Sequence, residues 1–150
     1  MEHPQTFAEE LYMHFPTPKL KSIKENACCI FTLMWWLGID PSDIRAIMTV
    51  SDLINKHALD QDCTVYWAEC IRALTGREML SLEKKPITTI KDIRERTIVR
   101  FMRGKIGHWV GVENGKVVFN SLRYSKSVEE GKPTECRIIQ IKGEFQKCIL

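Results

Sequence analysis

Residues 26–38 read Asn-Ala-Cys-Cys-Ile-Phe-Thr-Leu-Met-Trp-Trp-Leu-Gly, and from residue 27 to residue 37 the only polar side chain is Thr32. A helix that is apolar on every side lies either in a protein core or in a membrane. The eleven residues of this run are too few to cross a bilayer. The stretch therefore predicts a helix at the centre of a globular core, around which the rest of the chain packs.

Two adjacent cysteines, Cys28 and Cys29, stand at the start of this predicted helix, directly after Asn26, which is a favourable N-cap residue. A helix N-terminus offers free N–H groups and partial positive charge, which lower the pKa of a thiol and can hold an oxyanion. We therefore hypothesise that Cys28 is a nucleophile.

The composition predicts a single globular domain over residues 1–150, with 44% hydrophobic residues and a net charge of +3. The near balance of 22 basic and 19 acidic residues argues against nucleic acid as the main partner. Six cysteines in a chain long enough to form a core without disulfides favour a reducing, cytoplasmic compartment. No stretch has the features of a signal peptide or the length of a membrane span, so we expect no membrane association.

The hydrophobic pattern changes its period about halfway along the chain. The first part, about residues 1–76, predicts helices at 6–15, at the core stretch, from the start at 40–43, from a second start at 51–52, and at 63–74, with a polar lead-in at 19–25. The second part predicts strands at 79–82, 97–103, 107–112, 116–122 and 137–142, with one or two helical turns at 88–94. Helices followed by antiparallel strands predict an α+β fold class.

A cysteine nucleophile needs an imidazole that takes its proton and passes it to the leaving group, and a further group that orients the imidazole. The chain has four histidines. We expect His3 to lie in a frayed terminus, and His14 and His57 lie near helix ends without a partner motif. His108 opens a predicted strand behind a glycine and is the candidate base.

The turn at 113–115 decides whether Asn120 can orient that histidine. A two-residue turn at 114–115 would place His108 and Asn120 on opposite faces of the hairpin. A three-residue loop with Gly115 as a left-handed bulge would place them directly opposite each other on one face, with Cβ atoms about 4.5–5.5 Å apart. We predict the three-residue loop, partly because the chemistry favours it.

The order of these groups resembles that of the papain-like cysteine peptidases. Cys28, with Leu33 five residues later, is similar to the active-site helix of bacterial double-glycine leader peptidase domains. Residues 107–122 are similar to the histidine strand and the following strand of those domains. The chain also resembles uncharacterised papain-like proteins of spirochaetes and phages, in which the segment after the third member runs much like residues 125–131 and 137–139.

The resemblance implies a papain-like fold, in which N-terminal helices surround a buried central helix that packs on a C-terminal antiparallel sheet. It implies Cys28 as the nucleophile, His108 as the general base and acid, and Asn120 as the orienting residue. The activity implied is hydrolysis of a peptide, amide or isopeptide bond in a peptide or protein substrate, without a cofactor.

Two positions depart from the pattern of that family. Its members usually carry an oxyanion-donating Gln six residues before the Cys, where this chain has Ser22. Asn26, Lys24 and the backbone N–H of Cys28 are the alternative donors. Cys29 stands where many relatives have Gly or an aromatic residue, so two thiols compete for the nucleophile's role.

Three other interpretations compete with this one. A catalytically inactive papain-like domain of phage or bacterial origin, used for binding, is favoured by the missing Gln. The cysteines lack the close ligand spacing of zinc sites, so we expect no metal. A DNA-binding helix-turn-helix over 41–74 is disfavoured because acidic residues offset its basic ones.

Overall fold

A computed structural model describes residues 3–41, 43–123 and 125–143, and these form helices and an antiparallel sheet. The helices are α1 (Pro4–His14), α2 (Pro18–Asn26), α3 (Cys28–Trp36), α4 (Asp43–Asn55), α5 (Trp67–Thr75) and α6 (Lys126–Glu129). The strands are β1 (Met79–Pro86), β2 (Thr97–Arg103), β3 (Ile106–Glu113), β4 (Lys116–Phe119) and β5 (Lys132–Ile141), in the spatial order β1-β5-β2-β3-β4. The predicted α+β class is confirmed.

Helix α3 is the buried centre of the helical layer, as the sequence predicts. Four of its apolar side chains are at most 1% exposed, namely Ile30, Phe31, Leu33 and Met34. The helix ends before Gly38, which has φ of +75°, a conformation that glycine adopts without strain. It packs on β3 and also contacts β2.

Both faces of the sheet are covered. Alternate residues of a strand point to opposite sides, and each side carries apolar residues that pack into a core. The helices pack on one face, where Ile98, Trp109 and Ile139 join their core. The other face carries a smaller core, made of Val99, Phe101, Val110, Val112 and Cys136, with Ile87, Ile90, Ile93, Val117 and Val128 packed against them. We call these the helix face and the second face.

The helices differ from the sequence prediction in several places, among them the start of α5 at Trp67 rather than at residue 63. The polar lead-in at 19–25 is part of α2, which begins at Pro18 because Thr17 accepts a hydrogen bond at its Oγ1 from the N–H of Leu20 over 3.2 Å. The predicted second start at 51–52 is also wrong, because α4 runs through it without a break. Asp52 acts there as an ordinary surface residue, paired with Lys56 one turn later at 2.9 Å.

The segment 88–94 is not helical, although its spacing predicted a helical turn or two. Its apolar residues Ile90 and Ile93, together with Ile87, cover the second face of the sheet. A spacing of three residues suits that task as well as it suits a helix. No helix within the described ranges is both long and apolar enough to cross a bilayer.

Candidate active site

The hairpin between β3 and β4 has a two-residue turn, so the predicted three-residue loop is wrong. Asn114 and Gly115 have φ of +52° and +74°, as a type I′ turn requires. Beyond the turn, Val112 pairs with Val117 but Gly111 pairs with Phe119, so one extra residue bulges from β4. This bulge reverses the alternation and returns the residues beyond it to the face that the predicted loop would have given them.

As a result, His108 and Asn120 meet on one side of the hairpin. Nε2 of His108 lies 2.7 Å from Oδ1 of Asn120. The same oxygen accepts the backbone N–H of Leu122 over 3.0 Å. Because Oδ1 accepts both hydrogen bonds, the proton of the neutral imidazole sits on Nε2, and Nδ1 keeps its lone pair for a second partner.

Cys28 lies beside the next residue of the same strand, Trp109. Strand β4 pairs with β3 no further than Gly111 and Phe119, so helix α3 takes the edge of β3 beyond that point. The hydroxyl of Thr32, one turn along α3 from Cys28, lies 3.2 Å from the carbonyl oxygen of Trp109 and 2.7 Å from that of Cys28. The backbone N–H of Trp109 donates to the Cys28 thiol and lowers its pKa. The sulfur thus contacts the backbone at the edge of β3, one residue from His108. The side chain of His108 lies opposite Phe101 and therefore on the second face of the sheet, whereas Trp109 lies on the helix face.

The net pKa shifts leave both groups neutral near pH 7. Burial raises the pKa of the Cys28 thiol, and this effect outweighs the hydrogen bonds from the N–H groups of Trp109, Cys29 and Cys28 itself. Burial also lowers the pKa of His108, against the opposing effect of its hydrogen bond to Asn120. The low thiol pKa expected at the helix N-terminus is therefore wrong. The arrangement suits proton transfer to His108 during attack rather than a standing thiolate–imidazolium pair.

The predicted N-cap is also wrong, because Asn26 is the last residue of α2 and Ala27 alone separates the two helices. Within the described residues, no side chain caps α3. The first N–H groups of α3 therefore stay available to the thiol and to a negatively charged oxygen.

Cys29 is the poorer candidate of the two adjacent thiols. Burial, followed by the neighbouring Cys28, raises its pKa well above the ordinary value, and the charges of Arg137 and Arg100 offset this only in part. The pKa values of Cys63, Cys70 and Cys136 are raised by burial too, that of Cys70 to about 12. The five cysteines within the described ranges are all free thiols, and Cys148 lies outside those ranges.

Two of the side chains that could donate to the oxyanion, those of Ser22 and Lys24, contact other groups. The hydroxyl of Ser22 donates to the carbonyl of Gln61 and lies 3.7 Å from the sulfur of Cys63. Nζ of Lys24 lies 3.7 Å from a carboxylate oxygen of Glu25 and 5.1 Å from the ring centroid of Tyr12. Asn26 ends α2 at an exposed position, whereas the backbone N–H of Cys28 lies within hydrogen-bond reach of the thiol itself.

The start of α1 forms a clamp on the segment after β4 that the sequence pattern does not predict. Gln5, only 1% exposed, donates from Nε2 to the carbonyl of Lys24 over 3.1 Å and accepts the hydroxyl of Ser121. The N–H of Gln5 also donates to the carbonyl of Ser121 over 2.9 Å. His3, expected to be frayed, donates from Nδ1 to the carbonyl of Asn120 over 2.9 Å. Nothing in the local pattern of residues 3–6 signals this role.

We expect Gln5→Met to lower the free energy of unfolding by about 2 to 4 kcal/mol, because two buried polar groups lose their partner while the volume is kept. Urea denaturation followed by tryptophan fluorescence measures this. Gln61→Met, at an exposed position, is the matched control and should change stability by less than about 0.5 kcal/mol. Equal effects of the two substitutions would show that the Gln5 side chain is not an anchor.

No group of three or more His, Cys, Asp or Glu side chains within the described residues is arranged to hold a metal ion. Comparison with protein-family models, with curated proteins and with solved structures found no match.

Proposed function

We propose that this protein is a papain-like thiol hydrolase that cleaves a peptide, amide or isopeptide bond with Cys28, His108 and Asn120. The observation that carries the proposal is the 2.7 Å contact between Nε2 of His108 and Oδ1 of Asn120. It leaves Nδ1 of the imidazole unprotonated on a strand whose next residue donates its N–H to the Cys28 thiol. The nucleophile thus lies at the edge of β3, one residue along the strand from the base, and the base and its orienting group lie together on the second face.

In the proposed reaction the sulfur of Cys28 attacks the acyl carbon while its proton passes to Nδ1 of His108. The carbonyl oxygen becomes negatively charged and is held by the N–H groups at the start of α3. His108 then gives the proton to the leaving amine, and water hydrolyses the thioester that remains on Cys28. Asn120 accepts from Nε2 throughout and keeps the ring in one orientation.

The first test is the selectivity of thiol labelling by iodoacetamide at pH 7.5, read by peptide mass spectrometry. We expect Cys28 to react at least about tenfold faster than the other described cysteines, because a neighbouring base removes its proton. Cys28→Ser should abolish the fast phase and the cleavage of a fluorogenic peptide-amide library, whereas Cys29→Ser should retain both. Uniformly slow labelling, with no cleavage of the library, would refute the proposal.

The alternative proposal is a catalytically inactive papain-like domain that binds a peptide or protein. It is favoured by the raised pKa of the Cys28 thiol and by the commitment of Ser22 to the Gln61 carbonyl. Slow labelling of Cys28 together with saturable binding of a peptide, measured by calorimetry, would support it.

The five free thiols in the described part of the chain support a reducing, cytoplasmic location for this activity. The substrate that we propose is a peptide or protein, and the mechanism requires no cofactor.

A further inference from the structure

Two arginines flank a tryptophan on the helix face of the sheet, next to Cys28. Arg100 of β2 pairs directly with Trp109 of β3, so their side chains share that face. The guanidinium carbons of Arg100 and Arg137 lie 5.8 Å and 4.9 Å from ring centroids of Trp109. Trp67, at the start of α5, meets Trp109 edge-on at 6.1 Å between centroids and forms a side wall.

The position of Arg100 is fixed by the residue that precedes His108. A Cβ atom at Gly107 would lie 2.8 Å from both Nε and Nη2 of Arg100, so the guanidinium lies directly over this glycine. The arginine side chain is 37% exposed and therefore reaches the solvent beside the candidate thiol.

Positive charge exceeds negative charge in this cluster. Glu135 forms an ion pair with Arg137 and lies 3.6 Å from Nη1 of Arg100 and 3.5 Å from Nζ of Lys84. Among the ion pairs of the described residues, these three cations share the one carboxylate. Two positive charges are thus left to attract a further anion.

The field of these guanidinium groups reaches the two thiols at the start of α3. The charge of Arg100 lowers the pKa of Cys28 and of Cys29, and the charge of Arg137 lowers that of Cys29. An anion bound at the arginines would therefore lie within electrostatic range of the attacking sulfur.

We propose that Arg100 and Arg137 form a subsite for a carboxylate that the substrate carries close to the bond attacked by Cys28. The inference rests on the proposed function and narrows its substrates to acidic peptides or peptide carboxylates. A carboxylate suits a pair of guanidinium forks better than a neutral amide does. The apolar wall of Trp67 and Trp109 would exclude water from that contact.

The test compares iodoacetate with iodoacetamide as labels of Cys28 in the full chain. In both reactions the sulfur forms a bond to carbon, iodide leaves and the thiol proton is lost, so the reagents differ mainly in charge. We expect the ratio of the iodoacetate rate to the iodoacetamide rate to be about fivefold higher at Cys28 than in the urea-unfolded chain. Raising the salt concentration to 1 M should remove most of this preference, because salt screens exposed charges.

Arg100→Gln should reduce the preference about fivefold, and Arg100→Lys should keep most of it because the charge remains. Arg103→Gln is the matched control. Arg103 lies on the same strand with its side chain on the second face, where it pairs with Glu130 at 3.0 Å. A rate ratio equal to that of the unfolded chain, or equal losses in Arg100→Gln and Arg103→Gln, would overturn the proposal.

The carboxylate could belong to an acidic side chain or to a chain terminus, and peptides that protect Cys28 from iodoacetamide distinguish the two. The probes are acetyl-Gly-Glu-Gly-amide, acetyl-Gly-Gln-Gly with a free carboxylate, and neutral acetyl-Gly-Gln-Gly-amide. Protection by the first indicates an acidic side chain, protection by the second a chain terminus, and equal protection by all three contradicts the subsite. Labelling requires no turnover, so an iodoacetate preference without any peptide cleavage would refute only the proposed hydrolase, whereas cleavage without the preference would refute only this subsite.

Discussion

His108→Ala is expected to lower kcat/KM for peptide cleavage by about 10³-fold, since a positioned general base contributes 10²- to 10⁴-fold. Without the imidazole, attack depends on the thiolate of Cys28, whose pKa is raised by burial. The variant's labelling rate should therefore be low at neutral pH and keep rising with pH above 9.

The wild-type protein should also lose activity as the pH falls, but only at a much lower pH than the variant. The base must be unprotonated to accept the thiol proton, and burial lowers the pKa of His108 below its usual 6.5. Cleavage and labelling should thus persist at pH 6.5 and decline only at lower pH. The same shift makes the free energy of unfolding depend on pH. Below pH 6.5 the imidazole is protonated in the unfolded chain but still neutral in the folded one, so the free energy of unfolding falls as the pH drops through this range.

Asn120 and His14 supply the controls for this prediction. Asn120→Asp keeps an acceptor for Nε2 of His108 and should retain most of the activity, whereas Asn120→Leu should lose about tenfold or more. His14→Ala, at an exposed position, should have no effect. Similar losses in His108→Ala and His14→Ala, or an unchanged pH profile, would contradict the role of His108.

Gly111→Ala is expected to cost about 3 kcal/mol of folding free energy, at the upper end of the range for overpacked cores. A Cβ atom there would lie 2.5 Å from two ring carbons of Trp35. That ring is held on two sides. It stacks on Phe119 at 6.0 Å between centroids, and the guanidinium carbon of Arg96 lies 4.1 Å from its centroid. Urea denaturation followed by circular dichroism measures the loss.

Gly107→Ala is the matched control, four residues away on the same face of β3. Its added Cβ meets the flexible end of Arg100 rather than a fixed ring, so the cost should stay below about 1 kcal/mol. Combining Gly111→Ala with Trp35→Phe should cost less than the sum of the two single changes, because the smaller ring leaves room. Additive losses would show that the contact with Trp35 is not the cause.

The sequence predicts the elements with strong local signals. The apolar run gives α3, the β-branched residues at 97–103 give β2 with the bounds observed, and Gly76 ends α5 in a left-handed conformation. The predictions fail where a local signal has two meanings. Ser51 and Asp52 are typical of helix starts but also occur on exposed helix surfaces, and only packing distinguishes the two cases.

At the candidate site, the sequence predicts the partners but not the path that joins them. The proximity of His108 and Asn120 depends on a bulge in β4 that no residue of that strand signals. The thiol pKa depends on how deeply Cys28 is buried, which the helix N-terminus alone does not reveal. The clamp by Gln5 joins positions 116 residues apart and is invisible to any local pattern.

These long separations bear on how the chain is made. The contact of Thr32 with Trp109 spans 77 residues, and the hydrogen bond between Gln5 and Ser121 spans 116. Contacts between residues so far apart in the sequence form slowly during folding. During synthesis, Cys28 leaves the ribosome long before His108 and Trp109 are made. The nascent chain therefore carries this thiol without its neighbouring base until at least residue 121 has emerged.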